Sequence, residues 1–553
     1  MILGQDAKRL GVFVFFDKDE LIDDYVIYML DSFKKACNDL IIVSNTKLNE
    51  NNLNKFKQYT NEVYERENKG LDAGAFTAVY DKYHHTFNNY DELILINDTF
   101  YGPFEPFKDI NQKMANHDLD FWGLCACYES ENGFGTLRES KIPAHIQTFF
   151  IAYRRSVLES DAFNNYWQNY NINNMNSFES VVTKHETYFT NYLEQAGFIW
   201  DTYLDLSDFK SDDFKNNFNI YAYSAYQLIK YYHAPFIKRK NFVFERNDAL
   251  FLNDGTDAKK ALDYIKNNNL YDTEMILKNI TRLYGPSDLY QGLNLNYILD
   301  DNEYHSEFSS IILVNSISDK LKYYVDNLNL KTEIRYINGN SKQYLLENRD
   351  ELYKYDYIFY LNVKEDLNAA TSVNECNLFR IVENTIASDN MIEQIKTILS
   401  NDKYLSCLLA PISYHNGYFN EISRRRFKDQ LKTFNLKYQV NEFIAANPDF
   451  AVFDAKLLND LDNSETDNDF IIFEILRLVN KNNKYAGKVY NKEYISNDIV
   501  SYEKMFANIF EDSKKYYTYP MISVSTAGIL HKWIRKHLSL NTRKKLKAMI
   551  KKN

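Results

Sequence analysis

A strand-length apolar run that ends in two polar residues constrains the fold of this chain most strongly. Residues 93–96 (LILI) have the composition of a buried β-strand, and Asn97 and Asp98 follow in a loop that ends at Gly102-Pro103. In open α/β folds, ligands bind beyond the carboxyl ends of the strands. The run therefore predicts a strand that brings an amide and a carboxylate to a ligand site, although Asn and Asp there also commonly cap a turn.

Two earlier apolar runs extend this pattern into a sheet. Residues 10–16 and 40–43 have the length and composition of buried strands, and apolar residues at helical spacing over 21–37 predict a helix between them. A strand–helix–strand order predicts parallel pairing, so the carboxyl ends of the strands meet at one edge of the sheet. The polar residues expected at that edge are Asp17, Asn45, Asn97 and Asp98.

The glycine-containing segment NKGLDAGAF at 68–76 is a second candidate part of the site. Gly70 and Gly74 flank Asp72, so the backbone can turn sharply and approach a ligand closely. The region contains neither GxGxxG nor GxxxxGK[ST], which argues against a Rossmann dehydrogenase and a P-loop enzyme. With Asp98 as a ligand for Mg2+ or Mn2+, the two segments favour a nucleotide-sugar site in which the cation stabilises the departing diphosphate.

Several segments, in a fixed order, carry a resemblance to a known family. They are VSN at 43–45, KGLDAGAF at 69–76, YDELILINDTFYGPF at 90–104, DFWGLCACYES at 120–130, HIQTFFIAYRRSVLES at 145–160 and APFIKRK at 234–240. Two later segments extend it, LYDTEMILKNITRLYGPSDLY at 270–290 and YDYIFYLNVKED at 355–366. Over most of its length the chain thereby resembles the rhamnan synthesis protein F (RgpF-like) family of bacterial polysaccharide glycosyltransferases.

The resemblance implies a GT-A-like, Leloir-type glycosyltransferase, and we expect its reaction to be metal-assisted and inverting. It implies transfer of rhamnose from dTDP-rhamnose to a lipid-linked glycan that grows into a cell-wall or surface polysaccharide. By position in the motifs, Asp98 is assigned to catalysis and metal binding, and His145 and Gln147 open an acceptor-side strand. The donor-binding residues predicted from the motifs and the strand ends are Asp17, Asn45, Gly70, Asp72 and Asn97.

An inverting transferase also needs a carboxylate that takes the proton of the acceptor hydroxyl. The candidate is Glu186, because an apolar helical pattern over 188–193 ends at Gly197 and places this acid at the start of a helix. The positive end of the helix dipole would favour its charged form. The alternative is a first-turn acid that only complements the dipole.

His233 and the basic run after it are further candidates. A late histidine can complete the metal site of a GT-A fold, since neutral imidazole is a competent ligand, and His233 is predicted to join Asp98. The alternative is a packed or hinge histidine. The run Lys238, Arg239 and Lys240 either neutralises a phosphate or forms a solvated loop.

The 553 residues are enough for two α/β domains. The predicted divisions are a GT-A-like domain at 1–240, a helical connector at 241–305, a second, GT-like α/β domain at 306–510 and a basic tail at 511–553. In the second domain Asn362 stands where the family's active-looking members have a histidine, while Lys364 is retained. This departure predicts a non-catalytic domain that binds acceptor or scaffolds a partner.

Charge and cysteine content indicate the surroundings of the protein. Five cysteines give no disulfide framework and the N-terminus lacks the order of a signal peptide, so a cytoplasmic location is expected. A net charge of −11 argues against nucleic acid as a partner. The basic amphipathic stretch 531–552 predicts peripheral contact with the anionic inner face of the plasma membrane. The alternative is a solvated terminal helix.

Two other functions stay open. In the first, the protein is a non-catalytic polysaccharide-assembly or glycan-binding protein whose sheets are relic transferase domains. In the second, it is a metal-independent transferase in which Asn97 and Asp98 hydrogen-bond the sugar or ribose directly. An assembly protein would tolerate Asp98→Ala, whereas a metal-independent transferase would lose activity with that change and keep it under chelation with EDTA.

Overall fold

The structure is a computed structural model that describes residues 2–493 and 495, with internal gaps. The gaps are residue 5, 132–140, 171–176, residues 214, 216 and 218, 244–256, 316–318, 363–379, 412–448 and 464–469. The predicted basic tail at 511–553 and Lys364 lie outside the described residues.

Within the described residues the strands form two seven-stranded sheets and three two-stranded ones. The first large sheet contains β1 (Arg9–Phe15), β2 (Asp39–Ser44), β3 (Val63–Glu65), β4 (Glu92–Asn97), β6 (Phe121–Gly123), β11 (Phe150–Arg154) and β12 (Trp200–Thr202). The second contains β14 (Asn296–Leu299), β15 (Ser310–Asn315), β16 (Glu333–Ile337), β17 (Tyr357–Asn362), β18 (Leu405–Leu409), β19 (Phe450–Asp454) and β20 (Tyr485–Asn491). The small sheets pair β5 (Phe100–Tyr101) with β13 (Ile237–Lys238), β7 (Ala126–Cys127) with β10 (His145–Ile146), and β8 (Ser130–Glu131) with β9 (Lys141–Ile142).

Helices connect the strands of both large sheets. Those of the first half are α1 (Asp24–Ala36), α2 (Glu50–Lys57), α3 (Leu71–Tyr83), α4 (Phe107–Ala115), α5 (Arg155–Leu158), α6 (Asp161–Gln168), α7 (Phe178–Val181), α8 (Thr187–Gln195), α9 (Ile220–Tyr223) and α10 (Ala225–Tyr232). In the range predicted as a connector, the described helices are α11 (Asp257–Asn267), α12 (Thr273–Leu283) and α13 (Pro286–Gly292). The second half contains α14 (Asp319–Asn327), α15 (Ser341–Glu347), α16 (Arg349–Leu352), α17 (Asp389–Ser400) and α18 (Ile471–Lys481).

The first large sheet has the parallel centre that the sequence predicts. β1 pairs in parallel with both β2 and β4, and every residue of β1 and β4 is buried. Helix α1 packs on one face through Met29 and Phe33, and α3 packs on the other through Phe76 and Val79. Strands covered on both faces read as continuous apolar runs, which is why their sequence does not alternate. The α/β fold class is thereby confirmed.

The second large sheet repeats the strand order of the first. Without the edge strands β3 and β14, the order β12-β6-β11-β4-β1-β2 corresponds to β20-β18-β19-β17-β15-β16. The antiparallel strand occupies the same place in both, since β11 pairs with β4 and β6 as β19 pairs with β17 and β18. The second half is therefore a structural repeat of the first. The domain boundaries themselves stay predictions, and β14 falls in the range predicted for the connector.

The repeat extends to individual residues. In the first sheet the Asn97 N–H donates to the carbonyl of Phe149 at 3.0 Å, next to the pair Ile96 and Phe150. In the second the Asn362 N–H donates to the carbonyl of Asp449 at 2.8 Å, next to the pair Leu361 and Phe450. Asn362 therefore occupies the position of Asn97.

Candidate functional site

The carboxyl ends of β1 and β4 define the candidate site. From β1 the chain continues outward through β2 and β3 on one side, and β4 then lies on the other side of β1. Ligands of open α/β sheets bind in the crevice that such a reversal of strand order creates. Asp17 follows β1, Asn45 follows β2, Asn97 ends β4 and Asp98 follows it. The four residues lie at one edge of parallel strands, as the strand pattern predicts.

Asn45 holds the loop that leads into α3. Its side-chain N–H groups donate to Oδ1 of Asn68 at 3.0 Å and to the carbonyl of Leu71 at 3.1 Å. Its Oδ1 accepts from Nη1 of Arg66 at 2.7 Å. Both the N–H groups and the oxygen of the Asn45 amide thus form hydrogen bonds within the protein, which fix the loop beside the crevice. The contact of Asn45 with a donor stays a prediction.

Gly70 forms the turn immediately before α3. Its φ is 73°, in the left-handed region that glycine adopts without steric cost. The first helical hydrogen bond runs from the Gly74 N–H to the Gly70 carbonyl at 2.7 Å, so Gly74 lies inside the helix and not in the turn expected for it. The turn places Asp72 in the first turn of α3.

Four side chains form a connected polar network in the crevice: Asn97, Asp72, Thr148 and Glu186. The Asn97 amide donates from Nδ2 to Oδ2 of Asp72 at 3.0 Å. Oγ1 of Thr148 lies 3.5 Å from that same Asp72 oxygen. The Thr148 hydroxyl donates to Oε2 of Glu186 at 2.8 Å, and the Thr148 N–H donates to it at 3.3 Å. Three separately predicted residues, Asp72, Asn97 and Glu186, thus meet around Thr148.

The protonation of Asp72 is set by this network. Burial raises the pKa of Asp72 to about 6, and the nearby charge of Glu186 raises it too. Hydrogen bonds from the Ala73 N–H and the Asn97 amide act in the opposite direction. Two close carboxylates disfavour each other's ionisation, so Asp72 becomes neutral in mildly acidic solution.

Glu186 does not stand at the start of a helix, and that prediction is wrong. Helix α7 continues through a π-helical turn, Val182–Glu186, directly into α8. Glu186 itself has helical angles, φ −55° and ψ −52°, so no free helix N-terminus favours its charge. The Thr148 hydroxyl and N–H stabilise its carboxylate instead. π-helical turns occur frequently at functional sites, and this one ends at the predicted base.

Asp98 is buried beside a tyrosine and an arginine. Its side chain is 4% exposed, and Oδ2 accepts from the Tyr25 hydroxyl at 3.2 Å and lies 3.9 Å from Nη1 of Arg239. Arg239 also donates to the Tyr25 oxygen at 2.9 Å. Burial raises the pKa of Asp98 to about 6, although Arg239 and the Tyr25 hydrogen bond lower it. Asp98 therefore anchors the segment that carries Arg239, and its catalytic and metal-binding roles stay predictions.

Asp17 is engaged by the helical region that follows the first sheet. Arg282 on α12 donates from Nη2 to Oδ2 of Asp17 at 2.6 Å, and it also pairs with Asp19 and Asp23. Oδ1 of Asp17 accepts from the Asp19 N–H at 2.9 Å and from the Leu21 N–H at 3.1 Å. Asp17 therefore attaches α12 to the loop after β1, and its contact with a donor stays a prediction.

The predicted metal ligands do not form a metal site by themselves. His233 is an exposed residue that ends α10 with φ 54°, so it terminates a helix as the hinge alternative describes. Among the described residues, no group of three or more His, Cys, Asp or Glu side chains could hold a metal ion. The buried Asp98 carboxylate already faces the Arg239 guanidinium. A divalent cation therefore stays a prediction.

His145 and Gln147 lie on the wall next to Thr148. β10 pairs with β7, which sets His145 opposite Cys127. Gln147 donates from Nε2 to Sγ of Cys127 at 3.0 Å. Burial lowers the pKa of His145, but the hydrogen bond and charge of Cys127 and the charge of Glu186 outweigh it and raise the pKa to about 9. Both side chains are buried, and their contact with an acceptor stays a prediction.

Two residues that organise the site, Thr148 and Tyr25, are not among the predicted site residues. Thr148 lies between Gln147, a predicted site residue, and Phe149 in the segment HIQTFF, so its place in that motif was an available signal. Tyr25 gave no such signal, because it occupies an apolar position of an amphipathic helix and is buried. Only its contact with Asp98 shows that its hydroxyl faces the site.

The corresponding place in the second sheet has different side chains. Lys342 is the second residue of α15, as Asp72 is of α3. Its Nζ lies 3.3 Å from Oε1 of Glu474 on α18, the helix that precedes β20 as α8 precedes β12. Both side chains are 2% exposed. Nζ of Lys342 also lies 3.0 Å from Oδ1 of Asp462, which is 40% exposed. Where the first half has two carboxylates, the second half therefore has a lysine that pairs with two.

Fold and site together define an α/β protein with a network of polar side chains at the carboxyl edge of parallel strands, next to a reversal of strand order. The chain belongs to the rhamnan synthesis protein F family, whose family model matches residues 40–333, more than half of the chain. The match begins in β2 and ends at the start of β16, so it contains most of the site and the helices α11 to α13.

Individual relatives are distant. The chain is 25% identical over 161 residues to the uncharacterized protein y4gN of Sinorhizobium fredii, a match that covers 29% of this chain and 39% of the relative. A solved structure that aligns is the mannosyltransferase Ktr4p from S. cerevisiae, with 13% identity, a TM-score of 0.20, and coverage of 30% of this chain and 60% of that one. The same enzyme in complex with GDP aligns with 12% identity and a TM-score of 0.19, covering 35% of this chain and 62% of that one. The family match, and not these structures, identifies the chain.

Proposed function

We propose that this protein is a GT-A-like glycosyltransferase that uses a nucleoside diphosphate sugar in the synthesis of a surface polysaccharide. The observation that carries the proposal is the network of Asn97, Asp72, Thr148 and Glu186 at the carboxyl edge of β4. Membership of a rhamnan synthesis family supports a sugar as the transferred group. The donor that we propose is dTDP-rhamnose, and the acceptor is a lipid-linked glycan.

Glu186 is the general base of the proposed reaction. Its carboxylate accepts the proton of the acceptor hydroxyl while the acceptor oxygen forms a bond to the anomeric carbon of the donor sugar. The bond from that carbon to the donor phosphate breaks, and its electron pair leaves with the nucleoside diphosphate. The attacking acceptor oxygen and the departing phosphate oxygen lie on opposite faces of the sugar ring. The configuration at the anomeric carbon is therefore inverted. Thr148 holds the Glu186 carboxylate in position, and Asp72 and Asn97 bind the donor.

A divalent cation and membrane contact complete the proposal. When bound, Mg2+ or Mn2+ would stabilise the charge of the donor diphosphate, with Asp98 as its protein ligand. The basic stretch 531–552 would attach the enzyme to the inner face of the plasma membrane, where a lipid-linked acceptor lies. Among the described residues, no helix has the length and apolar character that crossing a membrane requires.

Donor titration tests the function. We expect one of dTDP-rhamnose, UDP-glucose, UDP-galactose and GDP-mannose to bind in calorimetry, and Asp72→Ala to weaken it about 10-fold or more, because a charged hydrogen-bonding group is lost. Asp81→Ala, an exposed acid on the same helix, is the matched control. Titrations with Mn2+ and with EDTA show whether a metal is needed. If none of the donors binds the wild-type protein, the non-catalytic assembly function gains support.

The same titration counts the sites. We expect a stoichiometry near one donor per chain, because the second sheet's equivalent of Asp72 is Lys342, buried against Glu474. For the same reason we expect Asp72→Ala to weaken the single binding event about 10-fold or more and to leave no second event. A stoichiometry near two, or a second binding event that survives Asp72→Ala, would show that the second half also holds a donor.

A further inference from the structure

Lys238 lies in a short strand that pairs with the segment following β4, next to the candidate site. Its strand β13 pairs with β5, with Lys238 opposite Phe100 and Ile237 opposite Tyr101. The Arg239 N–H then donates to the carbonyl of Thr99 at 3.1 Å. Residues 237–239 are therefore fixed against the segment that leaves the end of β4.

The Lys238 side chain lies against the wall that holds the base. Its Nζ is 3.4 Å from the ring centroid of Phe149, the residue that follows Thr148. Such a cation–π contact stabilises a charge without neutralising it. Among the described residues, no carboxylate lies within ion-pair distance of Lys238. Lys238 thus carries a positive charge beside the crevice that no carboxylate neutralises directly.

The neighbouring arginine, Arg239, does have a carboxylate close to it. Arg239 donates to the Tyr25 hydroxyl at 2.9 Å and faces Asp98 at 3.9 Å, so its charge is used within the protein. Lys240, the next basic residue, is exposed. Of these three consecutive cations, only Lys238 is half-buried against Phe149 with no carboxylate of the described residues within ion-pair distance.

We propose that Lys238 binds the anionic diphosphate of the sugar donor and neutralises the charge that develops on it as it leaves. This inference rests on the proposed function and assigns the cation of the same site. A charge of the opposite sign is close by, since Glu186 accepts from Thr148, the residue before Phe149, and its charge acts on Lys238. The crevice therefore has a cation for the leaving group and a carboxylate for the acceptor hydroxyl, which is the charge separation that the reaction requires.

The charge of Lys238 gives the proposal a distinctive pH dependence. Burial lowers its pKa to about 8; the charges of Cys125, Glu186 and Cys127 act to raise it, and that of Lys240 to lower it. The amine is protonated below that pH and neutral above it. Diphosphate affinity should therefore fall as the pH rises from 7 to 9, a range in which a terminal phosphate is already ionised. An arginine at this position stays charged throughout the range.

Calorimetry with dTDP, UDP and GDP tests the proposal, each with Mn2+ and with EDTA. For the nucleotide that binds the wild type, we expect Lys238→Ala to bind at least 10-fold more weakly at pH 7. We expect Lys238→Arg to retain the affinity and to lose the decline towards pH 9. Lys240→Ala is the matched control and should bind as the wild type does.

Three outcomes would decide against Lys238. Equal affinity of wild type and Lys238→Ala at pH 7 overturns the proposal while the proposed function stands. An alkaline decline that is unchanged in Lys238→Arg also overturns it, and this variant serves if thermal unfolding shows that Lys238→Ala is misfolded. If the wild type binds none of the three nucleotides, the proposed function fails as well, and the two failures are thereby distinguished.

Discussion

Glu186→Gln is expected to reduce the rate of sugar transfer by about 10²–10⁴-fold, the contribution typical of a general base. The substitution removes the proton acceptor but keeps an oxygen that accepts from the Thr148 hydroxyl and N–H, which lie 2.8 and 3.3 Å from the carboxylate. Donor affinity should therefore change little. The measurement is the initial rate of transfer to acceptor, together with the dissociation constant of the donor.

Glu194→Gln is the control for this prediction. Glu194 is an exposed acid on α8, the same helix that Glu186 precedes, so its loss changes the local charge by the same amount. We expect it to transfer at the wild-type rate. Transfer by Glu186→Gln within about threefold of wild type would exclude Glu186 as the base, since even the weakest general bases contribute more.

Glu92→Ala is expected to destabilise the fold by about 3–5 kcal/mol, the cost of removing one partner from a buried charge network. Glu92 is 1% exposed and pairs with Arg9 at 2.9 Å. It also lies 3.7 Å from Arg154, whose side chain is completely buried, and accepts from the indole N–H of Trp122 at 2.8 Å. Alanine leaves two buried cations without their carboxylate. The measurement is the midpoint of thermal unfolding.

The Glu92 network lies far from the candidate site along the strands, so its loss should affect stability and not donor binding. Glu92 and Arg9 begin β4 and β1, so they lie at the amino-terminal edge of the parallel strands, opposite the candidate site. The fraction of Glu92→Ala that remains folded should bind donor with wild-type affinity. Glu62→Ala removes an exposed acid 3.8 Å from Lys82 and should cost less than about 1 kcal/mol. If Glu92→Ala and Glu62→Ala unfolded at the same midpoint temperature, the buried Glu92 network would not have the stabilising role that we assign to it.

The polar residues at the carboxyl edge of the first sheet could be predicted from short segments of sequence. The runs before Asp17, Asn45 and Asn97 have strand length and end at polar residues, and those strands form with nearly the expected bounds. Parallel pairing then places their ends together. Asp72 joins them because Gly70 turns the chain at the start of α3. These inferences need only short segments and the rules that connect neighbouring strands.

One prediction was wrong and two others stay untested, and all three depend on how distant segments meet. The sequence pattern started a helix at Glu186, but the helix begins earlier and passes through a π-helical turn, a register that apolar spacing does not reveal. Asp98 was assigned to a metal, and the structure sets it against Tyr25 and Arg239. Asp17 was assigned to the donor, and Arg282 pairs with it from a helix that follows much later in the chain.

By itself the amino-acid sequence determined the α/β class, the strand ends that carry polar residues and the resemblance that the family match confirms. Those features follow from the length, periodicity and termini of short segments. Only the tertiary structure decided which polar groups pair with each other, because antiparallel β11 brings Thr148 to Asp72 and Glu186, and β13 brings Lys238 to Phe149. It also showed that the second half repeats the first, with Lys342, paired with Glu474, at the position of Asp72. Side-chain pairing across such sequence separations depends on strand order and register, which local composition does not encode.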